Sequence, residues 1–227
     1  MILSHPTFSN MLSIEEGKIT VLAVENPSQF ASYLQELNSQ IGGADGQFAL
    51  FDKRESLPLS SIKLILDPFN LDMNSKEIQN GVVAKIKATM NSEKHYLRMQ
   101  ELISKIDSFS FDILSEVDTE LVSSEIDQIG LTKLFSPHFI NGSDSVLENI
   151  CQYIRISTQF TKTLIFAFVN LKTFLNEKEL ELFFKQMLYI KVQILLFEST
   201  PYPHSDVINE TIIDSDLCEI SGKSIVP

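Results

Sequence analysis

The sequence predicts an α/β protein in which two pieces of one sheet, far apart along the chain, flank a long helical insertion. Three observations carry this. Apolar runs rich in β-branched residues lie near both ends, at Ile19–Val24 and Val192–Phe197. Helical apolar spacing dominates the middle, from Ile78 to about Leu121. Only eight glycines and eight prolines among 227 residues leave room for long uninterrupted elements. The expected organisation is 1–75 as the first part of an α/β head, 76–160 as an extended helical leg and 161–227 as the second part of the head. A composition of 44% hydrophobic and 9% aromatic residues supplies the packed interior this needs.

The first strand is Ile19–Val24, which follows Gly17 and stops before Asn26-Pro27. Phe30, Leu34 and Leu37, spaced four and three apart, predict a helix laying one face on the sheet. The glycines of 41–46 make a loop. Phe48–Phe51 and Ile62–Leu66 are two further strands, so the first third reads β-α-β-β. Asp67-Pro68 closes the last of them. Asn74 followed by Glu77 has the spacing of a capping box and starts the long helical region. Within it a stripe of Leu102, Ile106, Phe109, Ile113, Val117 and Leu121 recurs every three or four residues, and Asn91-Ser92 is a natural break between two helices. So long a helical region exceeds what a small sheet can cover, so part of it projects as an antiparallel or partner-packed leg.

Ile126–Phe135 reads as a short helix stopped by Ser136-Pro137, and Val146–Ile156 as another apolar helical face. Leu164–Val169 and Val192–Phe197 are continuous apolar runs of the kind found in strands covered on both faces. The helix Glu177–Tyr189 between them completes a βαβ unit. Asn176 and Glu179 form a second capping box, and Leu180, Phe183, Phe184 and Met187 supply the packing face. A final short strand, Asp216–Ile220, follows the turn at Pro201-Tyr202-Pro203.

Thirty acidic against eighteen basic side chains give a formal charge of -12, which excludes a protein that is basic overall, such as a nucleic-acid coat protein. Cys151 and Cys218 are far apart and belong to no Cys-x-x-Cys pair, so neither a disulfide framework nor a zinc ribbon is indicated. No basic segment followed by an apolar one opens the chain, and the longest apolar run falls far below the roughly 20 residues of a membrane span. The expectation is a cytoplasmic protein with no membrane partner.

An α/β sheet invites a search for phosphate binding where a strand meets a helix. Glu25-Asn26-Pro27-Ser28-Gln29, after the first strand, has neither glycine nor lysine. Gly222-Lys223-Ser224 ends like a P-loop, but Leu217 stands where its first glycine belongs. The histidines, at positions 5, 95, 138 and 204, lack metal-ligand spacing, and no Gly-x-Ser-x-Gly elbow is present. Asp67 and Asp72 could ligate a hard cation in a nuclease; the plainer reading makes them turn residues. No enzymatic activity is expected, with a metal-dependent nuclease or degenerate nucleotide hydrolase as the alternative and a scaffold without DNA contact as a third reading.

Charge is segregated along the insertion. Residues 85–105 hold Lys85, Lys87, Lys94, Arg98 and Lys105 against Glu93 and Glu101, whereas 106–132 hold seven carboxylates and no cation. A solvated helix face explains either half. The carboxylates repel one another, and calcium, an oxygen-ligated ion, would relieve this, although the spacing is not that of an EF-hand.

Together these pieces resemble the Csn-two family of type II-A CRISPR adaptation proteins. The resemblance rests on Gly17-Lys-Ile-Thr-Val-Leu22, Phe48-Ala-Leu-Phe-Asp52, Leu64-Ile-Leu-Asp67 running to Asn70-Leu-Asp-Met-Asn-Ser75, Thr163-Leu-Ile-Phe166 with Asn170 and Phe174-Leu175, and Ile194-Leu-Leu-Phe-Glu198. Their order and spacing agree with the family along most of the chain. The resemblance implies a P-loop-like α/β head lacking Walker motifs, with an inserted helical leg. It also implies homotetrameric rings that thread double-stranded DNA ends through a basic channel, bind calcium and carry no established catalytic activity. The implied partners are the CRISPR integrase complex and the type II effector nuclease. By the same resemblance the calcium tract maps to Glu116, Asp118, Glu120, Glu125 and Asp127, with Ser123 and Ser124 where relatives tend to have acids. Lys53, Arg54 and Lys162 fall where relatives carry lysine; Lys85, Lys87, Lys94, Arg98 and Lys105 join the DNA-binding set from their clustering alone.

Overall fold

The computed structural model describes residues 1–117, 121, 122, 124, 126–140, 142–203 and 205–221. They form two compact units. One comprises Met1–Leu71, Gly142–Thr158 and Lys162–Pro227; the other comprises Asp72–Asn141 with Gln159–Thr161. Among the described residues no helix is long and apolar enough to cross a membrane.

The first unit is α/β, with two sheets rather than the single one expected. Short β-strands β1 (Ile2–Ser4), β2 (Leu12–Ser13), β4 (Ala49–Asp52) and β5 (Glu55–Leu57) make an antiparallel sheet in the order β2-β1-β4-β5. Ile2 pairs with both Ser13 and Phe51, so the segment around Phe48–Phe51 builds this small sheet instead of extending the large one. The large sheet has the order β10-β9-β3-β8-β7-β6, from β3 (Ile19–Val24), β6 (Ile62–Ile65), β7 (Ile165–Val169), β8 (Gln193–Glu198), β9 (Ile208–Ile213) and β10 (Glu219–Ser221). All its pairings are parallel except β9 with β10. Every residue of β3 is buried, as an apolar run covered on both faces requires.

Alternation across the pleat divides the core. Ile165 and Ala167 of β7 and Leu195 and Phe197 of β8 join Leu3, Leu50, Tyr33 and Leu37 on one side. The last two belong to α1 (Pro27–Ile41), which starts where Asn26 Oδ1 accepts from the amides of Ser28 and Gln29. On the other side Phe168 meets Phe183 edge-on, with centroids 5.6 Å apart. Phe183 lies on α6 (Glu177–Tyr189), which carries the expected capping box of Asn176 and Glu179 and buries Leu180, Phe183, Phe184 and Met187. Full burial of one such side chain contributes about 1.5–3 kcal/mol.

The second unit holds α2 (Lys76–Met90), α3 (Tyr96–Ser115) and α4 (Gln128–Phe135). Met90, Met99 and Leu131, one from each helix, form its buried centre, with Ile86, Ile103, Ile106 and Ile126 against them. The break at Asn91-Ser92 is present: Ser92 N and Oγ both donate to Thr89 O, turning the chain between α2 and α3. Asn74 faces the end of the unit, where its side chain accepts from Phe139 N at 2.8 Å and donates to Phe139 O at 2.9 Å. Helix α2 begins at Lys76, after the Asn74 position the spacing suggested. The expected stripe along α3 is only partly a packing face. Met99, Ile103 and Ile106 pack, whereas Phe109 is 65% and Phe111 73% exposed and the helix ends before Val117 and Leu121.

One expected boundary moves. Helix α5 (Val146–Phe160), expected in the leg, lies in the α/β unit as far as Thr158. Its buried face of Leu147, Ile150, Cys151, Tyr153 and Ile154 explains why: a helix this apolar needs a core.

Candidate nucleic-acid interface

Lys53 and Arg54 form the tip of the β4–β5 hairpin, between the paired residues Asp52 and Glu55. A two-residue connection needs left-handed backbone, and Lys53 supplies it with φ 55°. Both cations are exposed, and the flanking carboxylates cancel their charge locally. Lys162 is exposed in the link between α5 and β7, in the same unit.

The other five cations belong to the helical unit and are all exposed. Lys85 and Lys87 are two positions apart on α2, about 200° around its axis, and line different grooves. Lys85 and Arg98 share one of about 410 Å³ with His95, Met99, Leu131 and Phe135. Lys87 lines another of about 650 Å³ whose wall includes Asp107 and Asp127. Lys94 sits in the turn before α3, and Lys105 lies seven residues beyond Arg98, nearly the same helix face. The structure therefore groups Lys85 with Arg98 and puts Lys87 on a groove that two carboxylates also line.

The acidic tract is described in part. Asp118, Glu120 and Glu125 lie outside the described residues. Glu116 is exposed at the end of α3, and Asp127 caps α4, its Oδ1 accepting from Gly130 N at 2.8 Å. Among the described residues no group of three or more His, Cys, Asp or Glu is placed to hold a metal ion. The described part of the tract thus does not by itself make a calcium site.

The alternative chemistries meet local structure instead. Asn26 caps the amides at the start of α1, where a phosphate loop would lie. Asp67 accepts from Phe69 N and from Asn70 Nδ2, and Asp72 accepts from Asn74 N, each as a turn residue. Gly222-Lys223-Ser224 lies outside the described residues.

Two polar clusters escaped sequence reasoning. His5 is buried among Phe8, Tyr33 and Phe48; its Nδ1 accepts from Thr7 N, which leaves Nε2 to donate to Glu36 at 3.3 Å. The second gathers Lys172, Glu198, Tyr202 and Glu210 near the end of β8. Glu198 is wholly buried; Oε1 accepts from Tyr202 Oη at 3.1 Å and from Lys172 N at 3.5 Å, and Oε2 has no hydrogen-bond partner among the described residues. Burial raises its pKa, against the Tyr202 hydrogen bond, the Lys172 charge and the backbone amides of Lys172 and Leu171, which lower it. Burial likewise raises Glu210, against the amide of Tyr202 and the charge of Lys172. The only signal in the sequence was a carboxylate closing the apolar run Ile194–Phe197.

Comparison with known proteins settles the family. The model of the family described as CRISPR-associated protein (Cas_Csn2) matches residues 40–217, well over half of the chain. The chain belongs to the Csn2 family. A CRISPR-associated protein Csn2 from Streptococcus agalactiae is 24% identical to it over 163 residues, which cover 70% of this chain and 72% of the relative. The Csn2 protein of Enterococcus faecalis is also 24% identical, over 193 residues covering 82% of this chain and 84% of its own. Among solved structures, the ADP conformation of an ATP-binding cassette of an ABC transporter aligns with 98% of this chain and 89% of its own, at 11% sequence identity and a TM-score of 0.46.

Proposed function

We propose that this Csn2-family chain binds double-stranded DNA ends as a homotetrameric ring during CRISPR spacer acquisition, without catalysing a reaction itself. Family membership carries the reading. The eight exposed cations support it, because a chain of charge -12 can hold DNA only where its basic residues are concentrated. A ring concentrates them: cations facing the hole meet phosphate and release its counterions, while the acidic surface faces outward. Contacts of this kind read charge and shape rather than base sequence. The CRISPR integrase complex and the type II effector nuclease are the partners such a DNA-end holder would serve. Calcium belongs to the same proposal through the carboxylate-rich tract from Glu116 to Asp127, most of whose charges have no cation near them in sequence.

Sizing combined with binding to linear and to closed circular duplex, with calcium and with EDTA, tests this. A tetramer that retains linear but not circular DNA supports the ring. Strand cleavage would replace it with a nuclease, and absence of binding with a scaffold.

A further inference from the structure

The connection from β8 to β9 carries a device that the proposed DNA binding does not use. Because β8 and β9 run parallel on either side of β3, the chain leaving Glu198 must travel back along the sheet before β9 begins. The start of that connection, Ser199–Pro203, has no helix of its own and is tied down largely by side chains. Ser199 N donates to Asn170 Oδ1 at 2.9 Å, and Tyr202 N donates to Glu210 Oε1 at 2.7 Å. Lys172 Nζ donates to the carbonyls of Thr200 and Pro201 and lies 4.9 Å from the centre of the Tyr202 ring. The Tyr202 ring also stands 6.1 Å from that of Phe184 on α6. Tyr202 and Pro203 then form one wall of a groove of about 590 Å³ against Leu180, Phe184 and Leu188.

The ammonium of Lys172 lies among competing acceptors: two carbonyls of the connection and the carboxyls of Glu198 and Glu210. It now clamps two carbonyls of the connection, while the nearby Glu198 carboxyl, fully buried, keeps one oxygen without a hydrogen-bond partner among the described residues. A neutral carboxyl tolerates that state better than a charged one, because an unpaired charge away from water is far costlier than an unpaired neutral group. Once ionised, Glu198 competes for the ammonium, and the carbonyls of Thr200 and Pro201 lose their donor. We propose that Lys172 and Glu198 form a proton-operated latch, closed on Ser199–Pro203 when the Glu198 carboxyl is neutral and released when it ionises. Among the described residues the charged and titratable groups around it are Lys172 after β7, Glu198 at the end of β8, Tyr202 in the connection and Glu210 on β9. The raised pKa of Glu198 agrees with a carboxyl that holds its proton in this setting. Opening removes one wall of the groove beside α6, so the latch controls what that groove can hold.

Hydrogen exchange of the Ser199 and Tyr202 amides across a pH series, corrected for intrinsic rates, reads the latch, with Val21 in β3 as the core reference. In the wild type, protection at both amides should fall as pH rises, by up to about tenfold for each pH unit above the point where Glu198 titrates. Glu198→Gln, a neutral stand-in for the protonated acid, should keep both amides protected at every pH. Lys172→Met should leave both poorly protected at every pH with Val21 unaffected, which also shows that the variant folds. A wild-type pH response surviving in Glu198→Gln, or vanishing in Glu210→Gln instead, would overturn the latch. So would unchanged protection in Lys172→Met.

Discussion

The hydroxyl of Tyr202 donates across 3.1 Å to Glu198, a carboxyl with 0% of its surface exposed. Burial dominates this carboxyl and raises its pKa. A group raised on folding stabilises the protein fully below its unfolded value, about 4.3 for Glu, and loses that contribution as pH climbs through the folded value. Above about pH 4.3, then, the wild-type Tm should fall more steeply with rising pH than that of Glu198→Gln, which cannot ionise. Parallel curves of Tm against pH would show that Glu198 does not titrate in this range.

Gly81 is the single glycine of α2 and lies where the helix meets the backbone of Phe160. A Cβ there would stand 1.9 Å from the Phe160 carbonyl oxygen. Replacing an interior helical glycine by alanine usually gains about 1 kcal/mol. Here Gly81→Ala should instead lose about 1–3 kcal/mol, the range for overpacking. Urea unfolding decides the sign, and a gain in stability would mean that the two segments separate easily.

Burial pushes the Cys151 thiol up to about 11, whereas Cys218 is exposed. A thiol-specific reagent at about pH 8 should therefore label one cysteine rapidly in the native protein and both in denaturant, since the thiolate is the reactive form. Rapid labelling of two in the native state would show that α5 opens readily.

The two grooves separate the helical lysines by function. Lys85→Ala and Arg98→Ala should each weaken duplex binding and flatten the salt dependence by about 0.9 for every phosphate no longer neutralised. Lys87→Ala should do less, because Asp107 and Asp127 line the same groove and already offset its charge. Titration over a salt series measures all three, and equal slopes for Lys85→Ala and Lys87→Ala would remove the distinction.

The α/β class and the helical insertion were legible because apolar period is a local property. Ile19–Val24, the βαβ unit and the capping box at Asn176 needed only neighbouring residues to be recognised. The small sheet was not legible. Its strands β1, β2 and β5 are two or three residues long, and only the pairing of Ile2 with Ser13 and Phe51 makes them strands. Strand β9 was hidden by Asn209, Glu210 and Thr211, polar residues that break an apolar run yet pair in register with Thr20, Val21 and Leu22. The stripe on α3 misled in a different way: its spacing was helical, but periodicity does not say whether a partner element of the same chain covers it.

The interface divides along the same line. Residue order alone was sufficient for the family resemblance, for the overall acidity and for the run of cations between 85 and 105, since each is a matter of identity and sequence distance. Only the folded chain put Lys85 and Arg98 on one groove and Lys87 and Asp107 on another, because a helix turns successive side chains through 100° and the next helix decides which groove each one lines. Only the fold, too, brought Lys172, Glu198 and Tyr202 together. Their meeting depends on a parallel sheet that returns the chain past itself, and their energetics on a burial that no single residue carries in its own name.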